Sequence, residues 1–309
     1  MKAIAKVRPE PGVELIDAPE PQVQPGTVKI KLEAASVCGT DLNIYSWDAW
    51  AASRIKPPRI IGHEFCGTIV EVGQGVTDRK VGDFVASESH IVCGRCVQCL
   101  QGQGHVCANT RILGVDVDGG FAPYVVIPKD NAVPTDRKIP VKIACFQDAL
   151  GNAVHTALSG PVEGCNILIT GLGPIGLMAA EVCRVLGSSK IVGTEVSPYR
   201  IELASKLHFD KILNPKTDDV DGELGRIAPG GFDAVLEMSG HPSSLELAIK
   251  HVRPGGRVSL LGVFQENGQC VRVNDLVFKG VDVQGIVGRR LWKTWEQMQC
   301  FLLQNGLDV

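Results

Sequence analysis

The 309-residue sequence lacks the features that mark several classes of protein. Its formal net charge is only −3, so no basic excess favours binding to nucleic acid. No uninterrupted apolar run is long enough to span a bilayer, and residues 1–8 have neither the apolar core nor the cleavage site of a signal peptide. We therefore expect a protein that binds neither nucleic acid nor membranes, with a length sufficient for about two domains.

Cysteine is plentiful, and four of the eleven cysteines lie in one short segment: Cys93, Cys96, Cys99 and Cys107. The spacing C-x2-C-x2-C-x7-C puts four thiolates within reach of one tetrahedral zinc ion. A closed four-thiolate site leaves no position for substrate, so the spacing predicts a structural zinc. Free thiols or a disulfide pair are the alternative. The total number of cysteines, eleven, is odd, and several of those outside the cluster lie in apolar segments. This usage suits a reducing compartment and indicates a cytoplasmic protein. Those others are Cys38, Cys66, Cys145, Cys165, Cys183, Cys270 and Cys300.

The pattern of apolar residues divides the chain into two parts. Residues 1 to about 150 are rich in predicted strands separated by glycine and proline, for example 27–32, 67–72 and 124–127. Proline and glycine interrupt residues 10–25, which we expect to be an irregular surface segment.

From residue 165 onward, predicted strands alternate with predicted helices. The strands are 166–170, 190–195, 211–213, 233–237, 257–261 and 282–286, with helices such as 174–186 and 198–207 between them. This alternation predicts a parallel, doubly wound sheet.

A glycine motif, Gly171, Gly173 and Gly176 in GxGxxG spacing, directly follows the first of these strands and opens a helix. In this context the glycines let the backbone approach a pyrophosphate at the helix N-terminus. Glu195 ends the second strand, where a carboxylate binds the adenosine ribose and repels a 2′-phosphate, so NAD is favoured over NADP. Arg200 could contact the adenine side of the cofactor or be a solvated helix charge.

Three further residues beside glycine-rich turns are able to bind a metal: Cys38, His63 and Glu64. A catalytic zinc takes three protein ligands of mixed type and keeps one position open. Each residue alone has another explanation, Cys38 as a small core residue and His63 as a hydrogen-bonded histidine. Their spacing does not establish that the three meet.

Several motifs carry a resemblance that covers essentially the whole chain. They are CGTD at 38–41, YSWDAW at 45–50, GHE at 62–64, GNAVHTAL at 151–158 and LEMSG at 236–240, together with the cysteine and glycine motifs. On these residues the chain resembles the zinc-dependent medium-chain alcohol dehydrogenases, and most closely the L-threonine 3-dehydrogenases among them. The GHE and cysteine motifs are shared widely, whereas YSWDAW and GNAVHTAL are much narrower.

The resemblance implies an α/β architecture in which a GroES-like β-rich catalytic domain is joined to a Rossmann domain, often in a homotetramer. It places the catalytic domain at 1–150, with its zinc lobe at about 90–110, and the NAD-binding domain at 151–290. Residues 291–309 would begin a segment that returns to the catalytic domain. The family continues beyond the position of Val309, so the resemblance implies a truncation there.

The same resemblance implies site residues. Cys38, His63 and Glu64 would bind the catalytic zinc, and Asp148 would be a further ligand or a carboxylate just beyond the ligands. Cofactor contacts are implied at Ile175, Leu261, Gly262, Val263, Ile286 and Val287. Independently of the resemblance, His90 lies just before the cysteine lobe, where it is expected either to face the substrate cleft or to be a surface histidine.

The implied reaction is oxidation of the secondary hydroxyl of L-threonine to 2-amino-3-oxobutanoate, with zinc as Lewis acid and NAD as hydride acceptor. Thr40 would pass the proton outward. Family members carry a histidine three residues later, but this chain has Asn43, which cannot act as a base. The alternatives are a polyol or butanediol dehydrogenase of the same superfamily and a catalytically silent, reductase-like protein.

Overall fold

The structure is a computed structural model that describes residues 1–264, 271–304 and 306–307, so Cys270 and Val309 lie outside the described residues. The chain divides into two compact units, Met1–Ala149 and Leu150–Val309. None of the helices in the described ranges combines the length and the apolar character that crossing a membrane requires.

The first unit is built mainly from antiparallel strands. The strands are β1 (Lys2–Lys6), β2 (Glu14–Asp17), β3 (Thr27–Ser36), β4 (Arg59–Ile60), β5 (Glu64–Val72), β6 (Phe84–Ser87), β7 (His90–Ile91), β8 (Arg111–Ile112), β9 (Tyr124–Pro128) and β10 (Ala132–Pro134). A five-stranded sheet has the order β10-β6-β5-β3-β9, a three-stranded sheet has the order β2-β1-β4, and β7 pairs with β8. The helices are α1 (Gly39–Ser46), α2 (Ala49–Arg54), α3 (Val97–Leu100) and α4 (Val141–Ala144), and α5 (Gln147–Ala157) begins here.

The core of this unit lies against β3 and β5, the longest strands of the five-stranded sheet. Alternate residues of β3, such as Val28 and Ile30, pack with Phe65 and Ile69 of β5 in one buried cluster. The strands pair antiparallel with Ser36 opposite Glu64. That register sets the last residues of β3 beside the first of β5.

The prediction that residues 10–25 are irregular is wrong for β2. Lys2 pairs with Asp17 and Ala5 with Glu14, so β2 lies antiparallel to β1. Its side chains are largely exposed, Leu15 included, and the strand is held by backbone pairing rather than by an apolar face. The sequence therefore carries no alternating pattern that would reveal it.

The described residues of the second unit form a parallel sheet. Its strands are β11 (Asn166–Thr170), β12 (Lys190–Thr194), β13 (Lys211–Leu213), β14 (Phe232–Glu237), β15 (Val252–Leu260) and β16 (Asp282–Gly285), in the order β13-β12-β11-β14-β15-β16. The helices are α6 (Pro174–Val185), α7 (Pro198–Ala204), α8 (Val220–Ile227), α9 (Pro242–His251), α10 (Val273–Lys279) and α11 (Lys293–Gln304).

The direction of winding reverses between β11 and β14, which are neighbours in the sheet although β12 and β13 separate them in sequence. Leu168, Val192, Val235 and Val258 from four of the strands share one buried cluster, as expected of a sheet covered by helices. In this arrangement ligands bind at the carboxyl ends of the strands, where the winding reverses. The predicted combination of a β-rich domain and a doubly wound parallel sheet is confirmed.

Candidate metal and cofactor sites

The four clustered cysteines meet around one point. The ligand atoms of Cys93, Cys96, Cys99 and Cys107 all lie within 4.8 Å of one another. The sulfur of Cys107 is 3.6 Å from that of Cys93 and 3.7 Å from that of Cys96. A tetrahedral zinc with bonds of about 2.3 Å needs sulfur–sulfur edges of about 3.8 Å, so the lobe has the dimensions of a four-thiolate zinc site.

The thiols of this lobe differ in their electrostatics: hydrogen-bond donors favour the thiolate of Cys93, whereas burial and the neighbouring sulfurs of Cys96 and Cys107 raise the pKa of the Cys99 thiol to about 12. The backbone N–H of Arg95 and the side-chain amide of Asn109 lower the pKa of the Cys93 thiol to about 6. The backbone N–H groups of Cys93 and Asn109 also donate to the sulfur of Cys107. Amide donors commonly surround metal-bound thiolates in this way, because they spread the negative charge of the sulfurs.

A second cluster joins Cys38, His63 and Glu64, whose ligand atoms also lie within 4.8 Å of one another. Cys38 caps the start of α1 just after β3 ends, while His63 and Glu64 stand at the start of β5. The pairing of β3 with β5 brings the three together, and the Ser36 hydroxyl donates to Glu64 Oε2 at 2.5 Å. His63 and Glu64 are buried and Cys38 is half-buried.

The electrostatics of this cluster call for a cation. Burial, followed by the charge of Glu64, raises the pKa of the Cys38 thiol to about 12. Burial also raises the pKa of Glu64, and the neighbouring Asp148 carboxylate adds to that rise. A divalent metal ion would reverse both effects. One thiolate, one imidazole and one carboxylate form a donor set that suits zinc and leaves room for another ligand.

Two carboxylates flank the three donors. Asp148, in the first turn of α5, is buried, and its Oδ1 accepts from the backbone N–H of Ser89 at 3.1 Å. Asp41 is buried as well, accepts from the Cys38 backbone N–H at 2.9 Å, and has its Oδ1 3.8 Å from Nδ1 of His63. The sequence interpretation missed Asp41, although it is the last residue of the CGTD motif. A carboxylate beside the second ring nitrogen of a metal-binding histidine orients the ring.

The other predicted residues of the first unit lie on two elements. Thr40 and Asn43 are on α1, Thr40 half-buried and hydrogen-bonded to Cys38, Asn43 exposed one turn later. His90 lies on β7, and Glu88 Oε1 accepts from its backbone N–H at 2.8 Å and lies 3.2 Å from its Nδ1.

The glycine loop has the geometry of a phosphate-binding turn. Gly171 has φ +87°, and a Cβ there would lie 2.8 Å from Ser239. A Cβ at Gly176 would lie 2.1 Å from the carbonyl oxygen of Gly171, so helix α6 packs too closely on the loop for any side chain. A Cβ at Gly173 would meet nothing nearer than Arg200 Nη1 at 4.0 Å. Space therefore remains at the N-terminus of α6, where an anion binds favourably.

Glu195 is buried beside this loop and tied to it. Its Oε2 accepts from the backbone N–H of Leu172 at 2.9 Å, and its Oε1 accepts from those of Val196 and Ser197. Arg200 Nη1 lies 3.6 Å from Oε2. The carboxylate is thus fixed at the end of β12, next to the turn that follows β11.

The remaining cofactor candidates follow the ends of other strands at the same edge of the sheet. Leu261 and Gly262 donate their backbone N–H groups to Glu237 O, and Val263 is exposed. Ile286, directly after β16, is buried, and Val287 is exposed. Ile175 is half-buried in the first turn of α6. The parallel sheet thus brings residues from three separate stretches of sequence to one edge.

Comparison with known proteins supports both the β-rich first unit and the second unit with its parallel sheet. Residues 24–137 match the model of the alcohol dehydrogenase GroES-like domain, and residues 174–304 match that of the zinc-binding dehydrogenases. The chain is 48% identical to an L-threonine 3-dehydrogenase of Pyrococcus furiosus over 310 aligned residues, which cover 100% of this chain and 89% of that protein. The chain belongs to the zinc-binding alcohol dehydrogenases.

Solved structures of two dehydrogenases share this fold. Galactitol-1-phosphate dehydrogenase from Escherichia coli has a TM-score of 0.91 at 25% identity, covering 100% of this chain and 90% of that one. A short chain alcohol dehydrogenase from E. coli CFT073, complexed with cofactor NADH, has a TM-score of 0.90 at 27% identity, covering 100% and 89%.

Proposed function

We propose that this chain oxidises the secondary hydroxyl of L-threonine to 2-amino-3-oxobutanoate, with a catalytic zinc, a structural zinc and NAD. The observation that carries the proposal is the cluster of half-buried Cys38 with buried His63 and Glu64, in a chain 48% identical over its length to an L-threonine 3-dehydrogenase. Residues 1–150 would hold both metals, and residues 151–290 the cofactor.

Cys38, His63 and Glu64 would hold the catalytic zinc, which when bound supplies Lewis acidity toward the substrate hydroxyl. Asp148 is close enough to raise the pKa of Glu64 and is proposed as a further ligand or as a carboxylate next to the ligands. The Thr40 hydroxyl, half-buried next to Cys38, would pass the substrate proton outward, and the amide of Asn43 offers no base to receive it. His90 is proposed to face the substrate.

The glycine loop and Glu195 would bind NAD, which accepts the hydride. The open space at Gly173 fits the pyrophosphate, and Glu195 Oε2, with two neighbours already, keeps acceptor capacity for a ribose hydroxyl. A fixed carboxylate at this position disfavours the 2′-phosphate of NADP. Arg200 and the strand-end residues, Ile175, Leu261, Gly262, Val263, Ile286 and Val287, would line the rest of the cofactor.

The test is NADH formation by the zinc-loaded protein with L-threonine, compared with polyols and 2,3-butanediol at equal concentration. We expect L-threonine to give the highest kcat/KM, and Cys38→Ser to abolish activity. Cys300→Ser, at an exposed cysteine of α11, is the matched control and should leave activity unchanged. Faster oxidation of a polyol or butanediol would favour the second candidate function, which the fold shared with galactitol-1-phosphate dehydrogenase supports. No NADH from any alcohol would indicate the catalytically silent alternative.

We also propose a cytoplasmic homotetramer. Support comes from the cysteines, none of which is paired in a disulfide among the described residues, and from the family resemblance. Light scattering on the purified protein should give a mass near four chains of 33.0 kDa, and a monomer mass would contradict the tetramer.

A further inference from the structure

The segment GNAVHTAL, residues 151–158, takes no part in the proposed chemistry, although most of it is buried. It forms most of α5, and its Gly151, Asn152 and His155 are spaced so that they share one face of the helix. That face contacts the loop formed by residues 286–290, which directly follows β16.

His155 makes two contacts with this loop and is itself only 5% exposed. Its Nδ1 lies 2.8 Å from the carbonyl oxygen of Gly288, and its Nε2 lies 3.2 Å from Nε of Arg290. An arginine Nε can only donate and a carbonyl oxygen can only accept. Both contacts are therefore satisfied by one form of His155, the neutral ring with its proton on Nδ1.

Arg289 provides a second attachment between the same helix face and the loop. It is 1% exposed, and its Nη1 donates to Oδ1 of Asn152 at 3.2 Å. Its Cγ and Cδ pass 2.5 Å from the point where a Cβ on Gly151 would stand, so the side chain crosses the helix where only glycine leaves room. Each of the three helix residues thus has a partner in the loop. Gly151 and Asn152 contact Arg289, and His155 contacts Gly288 and Arg290.

The loop begins with two of the proposed cofactor residues. Ile286 donates its backbone N–H to Leu260 O at 2.8 Å, which fixes the start of the loop to β15, and Val287 follows. Beyond them the loop is held by α5. We infer that His155, through Gly288 and Arg290, is a positioning residue that holds residues 286 and 287 in place to bind NAD.

This inference rests on the proposed NAD site, and its test measures cofactor binding without any alcohol. NADH affinity would be measured by fluorescence titration of the zinc-loaded protein. His155→Phe removes both hydrogen bonds and should weaken NADH binding about tenfold. His155→Gln keeps one donor and one acceptor and should restore binding to within about threefold of the unmodified protein. In turnover, KM for NAD should rise in His155→Phe while kcat at saturating NAD changes little.

Arg290→Met is the second variant, because Arg290 is exposed and its replacement leaves the packing of α5 intact. It should also weaken NADH binding. The double variant His155→Phe/Arg290→Met should lose less NADH affinity than the sum of the two single losses predicts. His208→Phe, at an exposed histidine of the same unit, is the matched control and should bind NADH normally.

Unchanged NADH affinity in Arg290→Met and in folded His155→Phe would overturn the inference. So would equal losses of affinity and melting temperature in His155→Phe and His155→Gln, since that result indicates a purely structural histidine. If His155→Phe does not fold, Arg290→Met decides alone. Failure of the unmodified protein to bind NADH would instead overturn the proposed function, whereas NADH binding without threonine turnover leaves this inference standing.

Discussion

Asn43 stands on α1 one helical turn after Thr40, and its side chain is exposed. If the proton leaves through Thr40, a histidine at position 43 would add a base that the chain lacks. General acid–base help is typically worth about 10²- to 10⁴-fold, so Asn43→His should raise kcat measurably.

The pH–rate profile checks this prediction. Asn43→His should add an inflection near neutrality that the unmodified protein lacks, and Thr40→Ala should lower the rate by removing the bridging hydroxyl. If Asn43→His changes neither the rate nor the profile, the proton does not leave by this path.

Glu195 carries a negative charge and also accepts hydrogen bonds from three backbone N–H groups. Two substitutions distinguish the effect of the charge from that of the hydrogen bonds. Glu195→Ser should weaken NAD binding, reduce discrimination against NADP, and lower the free energy of unfolding by about 1–3 kcal/mol, because the backbone N–H groups of Leu172, Val196 and Ser197 lose their acceptor. Glu195→Gln keeps an acceptor oxygen without the charge, and should relax cofactor preference with a smaller loss of stability.

KM values for both cofactors and thermal melting of the two variants provide the measurement. Equal use of NAD and NADP by the unmodified protein would show that Glu195 does not select the cofactor.

The turn from the strand β11 into the helix α6 contains two glycines whose replacement by alanine should have different effects on stability and NAD binding. Gly176→Ala would place a methyl group 2.1 Å from the carbonyl oxygen of Gly171, so the turn must open and both stability and NAD binding should fall. Gly173 has φ −67°, a backbone conformation that alanine adopts freely, and a Cβ at this position would meet no atom closer than 4.0 Å. Gly173→Ala should therefore fit without strain. It should melt like the unmodified protein yet bind NADH at least tenfold more weakly, since the methyl group fills the space proposed for the pyrophosphate.

Melting curves and NADH titrations of the two variants form one experiment, each serving as the control for the other. Normal NADH binding by Gly173→Ala would contradict the proposal that the pyrophosphate binds at this turn.

Other elements show where local patterns fail. The strand β15 begins at Val252, five residues before the predicted start at 257, and runs through Pro254. The pairing of Phe232 with Val252 shifts register before it resumes at Ala234 with Arg257. Residues 253–256 fall within this register shift, and Gly255 has φ +66°, so the chain turns there, as a proline and two glycines favour. The sequence therefore gives no strand signal here, and the earlier start of β15 rests on the single pairing of Val252 with Phe232.

At the scale of the whole molecule, the two metal clusters differ in kind, so we expect about two zinc ions per chain that leave at different rates. Chelation should abolish activity first, by removing zinc from the cluster at Cys38, and unfold the cysteine lobe only later. Cys107→Ser should lower the zinc content by one and reduce the melting temperature, whereas Cys300→Ser should change neither.

Elemental analysis alongside activity and melting during chelation gives the measurement. A single zinc per chain in fully active protein would contradict the assignment of two sites.

Features that depend on short stretches of chain could be predicted from the sequence alone. The cysteine lobe spans residues 93–107, and the glycine motif lies within one strand–turn–helix unit, so the spacing of neighbours already limits the geometry. The alternation of strands and helices after residue 165 likewise fixed a parallel sheet, because successive parallel strands need a crossover between them.

Contacts between residues far apart in the sequence could not be predicted in this way, because they depend on the folded chain. Cys38 lies 25 residues before His63, and the register of β3 on β5, set by packing of the sheet as a whole, brings them together. The pairing of His155 with Gly288 and Arg290 spans more than 130 residues. Spacing cannot reveal such contacts, because the chain between the partners folds through structure of its own, and the free energy of the whole core selects the register that joins them.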